Sequence, residues 1–374
     1  MSSGVTMMRE PRTIAIFCQV LDNYGDVGVC WRLARRLARD GKQVTLWADD
    51  LNRLQRLRPA IDPSAAQQPL DGFTLCPWYD AAPLGVVADL VVSAFGCRLP
   101  EGYLVRMAAM TPAPAWVNLE YLSAEPWVEA SHLLPSPNPR VPLLEYFFFP
   151  GFTQRTGGLL REPDLVVQRA AFDVNAKKRF LSRIGVQPVA GSKLLSLFCY
   201  PSAPIESLFQ LMQSGPPVMC LVPEGVTPLA PAAGETWTRG TLTVQGIPFL
   251  EPDEYDHLLW SCDLNFVRGE DSAVRAQWAA QPMLWQLYPQ AESAHQVKLQ
   301  AFSALYCGAL GPNDAAIWNS FSSWWNGRQQ TTPDWHGLLD ALPVLKVHAY
   351  TWQQRLASIP EMAGSLIEFA RQIR

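Results

Sequence analysis

The chain has 374 residues, more than twice the roughly 150 of a typical single domain, so two domains are expected. Hydrophobic residues make up 48% and charged residues 17%, which supplies ample core and excludes a disordered chain. With 30 basic and 34 acidic residues the net charge is −4, which argues against wholesale electrostatic binding to nucleic acid or to an anionic membrane.

Residues 1–12 lack the apolar run of a signal peptide and read as a loose leader. Thr13 to Leu21 is then continuously apolar and partly β-branched, the pattern of a strand buried on both faces of a parallel sheet. A polar turn, Asp22-Asn-Tyr-Gly-Asp26, leads into a helix over Val27 to Asp40. Its apolar face is Val29, Leu33, Ala34, Leu37 and Ala38, with Arg32, Arg35, Arg36 and Arg39 opposite. Gly41 ends the helix, Gln43 to Trp47 is the next strand, and Asp49-Asp50 reads as a solvated turn. This β-α-β unit predicts a right-handed crossover and a Rossmann-like sheet, with further strands at Leu90–Ser93 and Ala115–Leu119. The Pro-, Gly- and aromatic-rich stretch Leu134–Gly158 reads as loop.

A second alternation follows: strand 193–200, helix 205–214, strands 217–222 and 242–248, helix 253–261, strand 264–267, helix 272–280 and strand 283–286. A final helix over 352–374 is amphipathic and returns to the first domain. The expected class is α/β, two Rossmann-like domains facing across a cleft. The first domain covers 13–180, completed by 352–374, and the second covers 181–350. The longest apolar stretches, such as Ile14–Leu21 and Leu84–Phe95, are too short to span a bilayer. The eight cysteines form no C-x-x-C pair and read as reduced core residues of a cytoplasmic protein.

Asp22 and Asp26 flank the first strand-to-helix turn, at the sheet edge where α/β proteins bind ligands. Asp26 reads either as a simple N-cap or, paired with Asp22, as a seat for a cation or hydroxyl acceptor. Neither G-x-G-x-x-G nor a P-loop is present. Glu120 and Tyr121, after the strand ending at Leu119, reach the same rim, with Ser123 open to a helix-cap role. In the second half, Arg268, Glu270, Asp271, Ser272 and Arg275 surround a helix start suited to a phosphate, or equally to a plain capped helix. Phe198, Tyr200 and Phe249 end neighbouring strands and suit the flat base of a nucleotide. No D-x-D pair, His cluster or G-x-S-x-G elbow is visible, which leaves a metal-independent transferase.

At these residues the sequence resembles the elongation factor P arginine rhamnosyltransferase family of bacteria. The shared motifs are residues 16–35 (IFCQVLDNYGDVGVCWRLAR), 118–125 (NLEYLSAE), Ile247-Pro-Phe249, Arg268-Gly-Glu-Asp-Ser272, Tyr288-Pro-Gln290 and His295. Tyr24 and Cys30 depart from other members. The resemblance implies a GT-B glycosyltransferase that moves rhamnose from dTDP-β-L-rhamnose, with inversion, to one arginine of elongation factor P. That modification activates the factor for rescue of ribosomes stalled at polyproline. It implies no cofactor or metal, and no nucleic-acid or membrane partner. By position, Asp22 and Asp26 would hold the acceptor arginine, Asp26 as general base, with Asn23, Tyr24, Gly25, Glu120 and Tyr121 beside them. Phe198, Tyr200, Gln245 and Phe249 would line the thymidine and sugar pocket, and Arg268, Glu270, Asp271 and Ser272 would hold diphosphate and rhamnose. The competing expectation is another dTDP- or UDP-sugar enzyme on the same scaffold, an epimerase or a transferase to a small acceptor. A third is a protein-binding module without nucleotide.

Overall fold

A computed structural model describes residues 10–20, 25–78, 85–290 and 293–374. They form two compact units, Met1–Glu162 with Ala357–Arg374, and Pro163–Leu356. In the first, the elements run β1 (Thr13–Cys18), α1 (Gly25–Arg39), β2 (Gln43–Ala48), α2 (Leu51–Leu57), β3 (Gln68–Leu70), β4 (Phe73–Pro77), β5 (Leu90–Ala94), α3 (Glu101–Ala108), β6 (Ala115–Leu119), α4 (Trp127–Ser131), β7 (Pro135–Pro137) and β8 (Leu144–Phe148). The second contains α5 (Leu165–Ala171), α6 (Val174–Arg183), β9 (Lys193–Leu197), α7 (Ile205–Met212), β10 (Val218–Pro223), β11 (Thr236–Arg239), β12 (Leu242–Ile247), α8 (Pro252–Ser261), β13 (Leu264–Arg268), α9 (Gly269–Trp278), β14 (Met283–Gln286), α10 (Ala294–Cys307), α11 (Pro312–Trp325) and α12 (Trp335–Ala357). The chain ends in α13 (Met362–Gln372), which belongs to the first unit.

The first sheet has the order β3-β4-β2-β1-β5-β6-β8-β7 and is parallel except at its two edges. Those edges, Gln-Pro-Leu and Pro-Ser-Pro, are short and carry prolines, which lack the N–H another strand would need. Side chains alternate along β1: Ile14, Ile16 and Cys18 pack under α1 and α13, whereas Ala15 and Phe17 face Tyr103 and Met107 of α3. The second sheet, β11-β12-β10-β9-β13-β14, is parallel apart from the edge strand β11. Both sheets are therefore Rossmann-like, as the hydrophobic pattern predicted.

Three expectations need correction. The first domain does not extend to residue 180: Phe180, Leu181 and Ile184 bury against β9, β10 and α8, so 163–180 join the second unit. The final helix is not continuous over 352–374. Trp352 closes the second unit's core, its indole donating to Gln277 at 2.9 Å, and Pro360, which cannot continue a helix, separates α12 from α13. The stretch 134–158 is not only loop but supplies β7 and β8. Arg32 and Arg35, placed opposite the predicted apolar face of α1, are nonetheless buried. Arg32 pairs with Glu162, and the Arg35 guanidinium lies 4.9 Å from the Trp31 ring centre.

The returning C-terminal segment depends on one glycine. Leu159 bridges Glu361, and a Cβ on Gly158 would sit 1.8 Å from the Pro360 carbonyl; its φ of +74° is also one that glycine adopts freely. Glu361 then caps α13, accepting from the N–H groups of Ala363 and Gly364 at 3.0 Å each.

His132 ties α4 to the end of β8, its Nδ1 accepting from the Phe149 N–H at 3.0 Å. Burial lowers its pKa from 6.5 to about 4, so the folded ring stays neutral. The unfolded chain binds the proton first, so this contribution is whole above about pH 6.5 and is lost as pH falls toward 4. Thermal melts of the wild type and His132→Asn should therefore converge as pH drops across that window. A difference in Tm that stays constant from pH 7 to 4 would contradict this.

Candidate active site

Parallel register aligns Cys18, Ala94 and Leu119 at the carboxyl ends of β1, β5 and β6. The chain moves from β1 to β2 on one side and later to β5 on the other, so β1 and β5 flank the topological switch point where such sheets bind ligands. Asp26 sits here in the first turn of α1, only 3% exposed, where free N–H groups and the helix dipole favour a negative charge. Gly25 opens the same turn. Asp22, Asn23 and Tyr24 lie outside the described residues.

Asp49-Asp50 is no solvated turn. Asp49 accepts from the Val20 N–H at 2.9 Å, Arg53 donates to the Val20 carbonyl at 3.1 Å, and Asp50 caps α2 through the Arg53 N–H at 3.1 Å. The peptide at Val20 is thus held from both sides by the start of α2.

Glu120 and Tyr121 do reach this rim. The Glu120 N–H donates to Phe148 at 2.9 Å, and its carboxylate accepts from the Asn118 amide at 2.8 Å. Tyr121 stacks on Phe95 with ring centres 4.6 Å apart. Phe95 has a φ of +58°, a conformation that costs a bulky residue about 1–3 kcal/mol. Ser123 does not cap α4; it exchanges hydrogen bonds with Glu125.

In the second unit β9 holds the equivalent place, with β10 on one side and β13 on the other. The Phe198 N–H continues the ladder by donating to Phe266 at 2.9 Å. Arg268, the last residue of β13, donates to the Cys199 carbonyl at 2.9 Å, and its guanidinium lies 4.4 Å from the ring centre of Phe198 and 4.8 Å from that of Tyr200. The Tyr200 N–H donates to buried Gln286 at 2.7 Å, and Tyr288 packs edge-on against the Tyr200 ring. Phe249 follows β12 on the same edge, half-buried.

Helix α9 begins at Gly269, earlier than predicted, so Glu270, Asp271 and Ser272 all fall within its first turn. Glu270 reaches Lys298 of α10 at 3.4 Å. Ser272 is buried beside the Tyr255 hydroxyl, whose pKa burial raises. Two residues stand apart from the rim. Gln245 lies inside β12, its amide donating to the Gly185 carbonyl at 2.9 Å. Arg275 is 2% exposed in a two-pronged pair with Asp256, Nε to Oδ1 at 2.8 Å, and so is a structural cation, not a phosphate ligand. Sequence reasoning also missed Asp49, Arg53, Phe95, Tyr255 and Gln286. Only Phe95-Gly96, an aromatic and a glycine directly after a strand, left a local signal.

Among the described residues, no three His, Cys, Asp or Glu side chains cluster as metal ligands.

The sequence profile of the Elongation-Factor P (EF-P) rhamnosyltransferase EarP family matches residues 14–371. The chain belongs to this family. Protein-arginine rhamnosyltransferases from Pseudomonas putida and Pseudomonas aeruginosa are 47% and 42% identical to it, over 95% of this chain and 98% and 97% of theirs. A structure solved to explain EarP-mediated arginine glycosylation of translation elongation factor EF-P is 34% identical, with a TM-score of 0.67 over 96% of this chain and 99% of that one. The glycosyltransferase of kitacinnamycin, 12% identical with a TM-score of 0.51 over 97% and 98% of the two chains, shows the GT-B fold alone. Asp26, Glu120 and Tyr121, which lie in the motifs noted above, fall on the first unit's rim; Arg268, also in a motif, falls on the second unit's rim with Phe198 and Tyr200 beside it.

Because Arg275 neutralises Asp256 in the interior, losing it strands a buried charge. Arg275→Met should cost about 3–5 kcal/mol of unfolding free energy, largely recovered in Arg275→Met with Asp256→Leu. Urea denaturation measures both. A stable Arg275→Met variant would mean that the pair is not what holds α8 to α9.

Proposed function

We propose that this chain transfers rhamnose from dTDP-β-L-rhamnose to an arginine side chain of elongation factor P, inverting the anomeric centre, in the cytoplasm. The observation that carries the reading is Asp26, a carboxylate buried at the switch point of the first unit in a chain of the EarP family. Eight buried, free cysteines fit a reducing compartment.

The chemical difficulty is the nucleophile. A free guanidinium has a pKa above about 12 and a delocalised charge, so its nitrogens attack poorly. A carboxylate on one side localises that charge and takes a proton as the C–N bond forms. Asp26 serves as that base, Asp22 orients the guanidinium, and Glu120 and Tyr121 complete the acceptor seat. One displacement then gives inversion without a covalent intermediate.

On the donor side, the N-terminus of α9 favours the diphosphate through its free N–H groups and dipole, with Ser272 adding a hydroxyl. Arg268, braced by Cys199 and two aromatic rings, supplies a fixed positive charge for the leaving group. Phe198, Tyr200 and Phe249 receive thymine and sugar. This division of labour needs no metal.

Incubating the protein with elongation factor P and dTDP-rhamnose should add one deoxyhexose to an arginine, read by mass spectrometry. Unmodified acceptor, or turnover of dTDP-rhamnose without it, favours the small-acceptor reading. Asp26→Asn, nearly isosteric, should lose at least about 10²-fold in kcat while dTDP-rhamnose affinity stays within a few-fold; retention of a tenth of the turnover reduces Asp26 to a helix cap. Asp271→Ala and Ser272→Ala should weaken dTDP binding in calorimetry, and unchanged affinity in both removes the phosphate from α9. Activity should persist in excess EDTA; loss reversed by Mg²⁺ or Mn²⁺ would refute metal independence.

A further inference from the structure

Asn118 is a polar residue inside an otherwise apolar strand, Ala-Trp-Val-Asn-Leu, and is only 6% exposed. Both ends of its amide are engaged. The oxygen accepts from the Gly96 N–H at 3.2 Å, and the nitrogen donates to Glu120 Oε1 at 2.8 Å. Gly96 belongs to a rim turn in which two successive residues, Phe95 and Gly96, have φ of +58° and +71°. That turn is pinned by the Phe95 N–H donating to Leu119 at 2.7 Å and by Cys97 Sγ donating to the Phe17 carbonyl at 3.2 Å. Its aromatic ring is the one on which Tyr121 stacks.

We propose that Asn118 is a positioning residue for the acceptor cation: it aims the Glu120 carboxylate, while the strained Phe95-Gly96 turn sets Tyr121 beside it, so that a planar guanidinium meets a preset charge and a preset ring face. The inference rests on the arginine-acceptor reading above. Its physical basis is preorganisation. A half-buried carboxylate on a three-torsion side chain loses rotamer freedom when it grips a cation, and a hydrogen bond already made in the free protein removes that cost. Strain at Phe95 has the same sense, since a bulky residue is held in the left-handed region where the stack under Tyr121 needs it.

Asn118→Asp separates positioning from packing, because Asp keeps the shape and still accepts from Gly96 but cannot donate to Glu120. Its KM for elongation factor P should rise about ten- to hundredfold, the range for a lost hydrogen bond to a charged group, with the KM for dTDP-rhamnose unchanged. Glu120→Gln should raise the same KM. The double variant Asn118→Asp with Glu120→Gln, in which the amide and carboxylate trade places, should be no worse than Glu120→Gln alone. If Asn118→Asp fails to fold, Asn118→Ala completes the same cycle.

An unchanged acceptor KM in Asn118→Asp, or effects that simply add in the double variant, overturns the positioning role while leaving the transferase reading intact. A wild-type protein that puts no rhamnose on elongation factor P overturns that reading, and this one with it.

Discussion

A buried parallel sheet releases all its strands in one direction, and nearly everything functional in this chain depends on that constraint. In both units the ladder is extended by one residue past the strand beside the switch point. Phe95 donates to Leu119 in one, and Phe198 donates to Phe266 in the other. Each bond fixes an aromatic ring at the rim, and each ring carries the next group: Tyr121 on Phe95, Arg268 over Phe198. The backbone thus sets side chains that sequence separation alone would leave independent.

Charge is managed differently at the two rims. The first has Asp26, only 3% exposed at a helix start, and Glu120 held by a neutral amide, an arrangement that suits a cation. The second has a helix N-terminus beside Arg268, which suits an anion. The proposed arginine acceptor and nucleotide-diphosphate donor differ in just this way. Of the acidic residues in the first turn of α9, Glu270 is partly compensated by Lys298.

The polar supports are as informative as the rims. Asp49 and Arg53 grip the Val20 peptide, Gln286 grips Tyr200, and Asn118 joins Gly96 to Glu120. Gln286 and Asn118 are buried polar side chains that must be satisfied, and each is satisfied by backbone or carboxylate at a strand end, while Asp49 and Arg53 do the same from partly exposed positions. They stiffen the places where a ligand would otherwise have to order the chain.

Much of this was legible in the sequence. Continuous apolar runs marked β1, β5 and β6, the 3.6-residue period marked α1, and both halves read as β/α because burial on two faces leaves no polar alternation. The motif residues Asp26, Glu120 and Arg268 stood at strand or helix ends, the edge where α/β sheets bind ligands. Other features had no local signature. Arg32 and Arg35 stand opposite the predicted apolar face of α1 yet are buried, and Glu162, the partner of Arg32, lies more than a hundred positions away in sequence. Gln245 was expected as a ligand through the family resemblance and Arg275 through its place near a helix start, yet their partners, Gly185 and Asp256, come from other elements. The transfer of 163–180 to the second unit was likewise fixed by packing, whereas the break at Pro360 had a local signal that the predicted helix overran. Periodicity reports which face of an element is apolar; only the assembled tertiary structure decides what covers the other face.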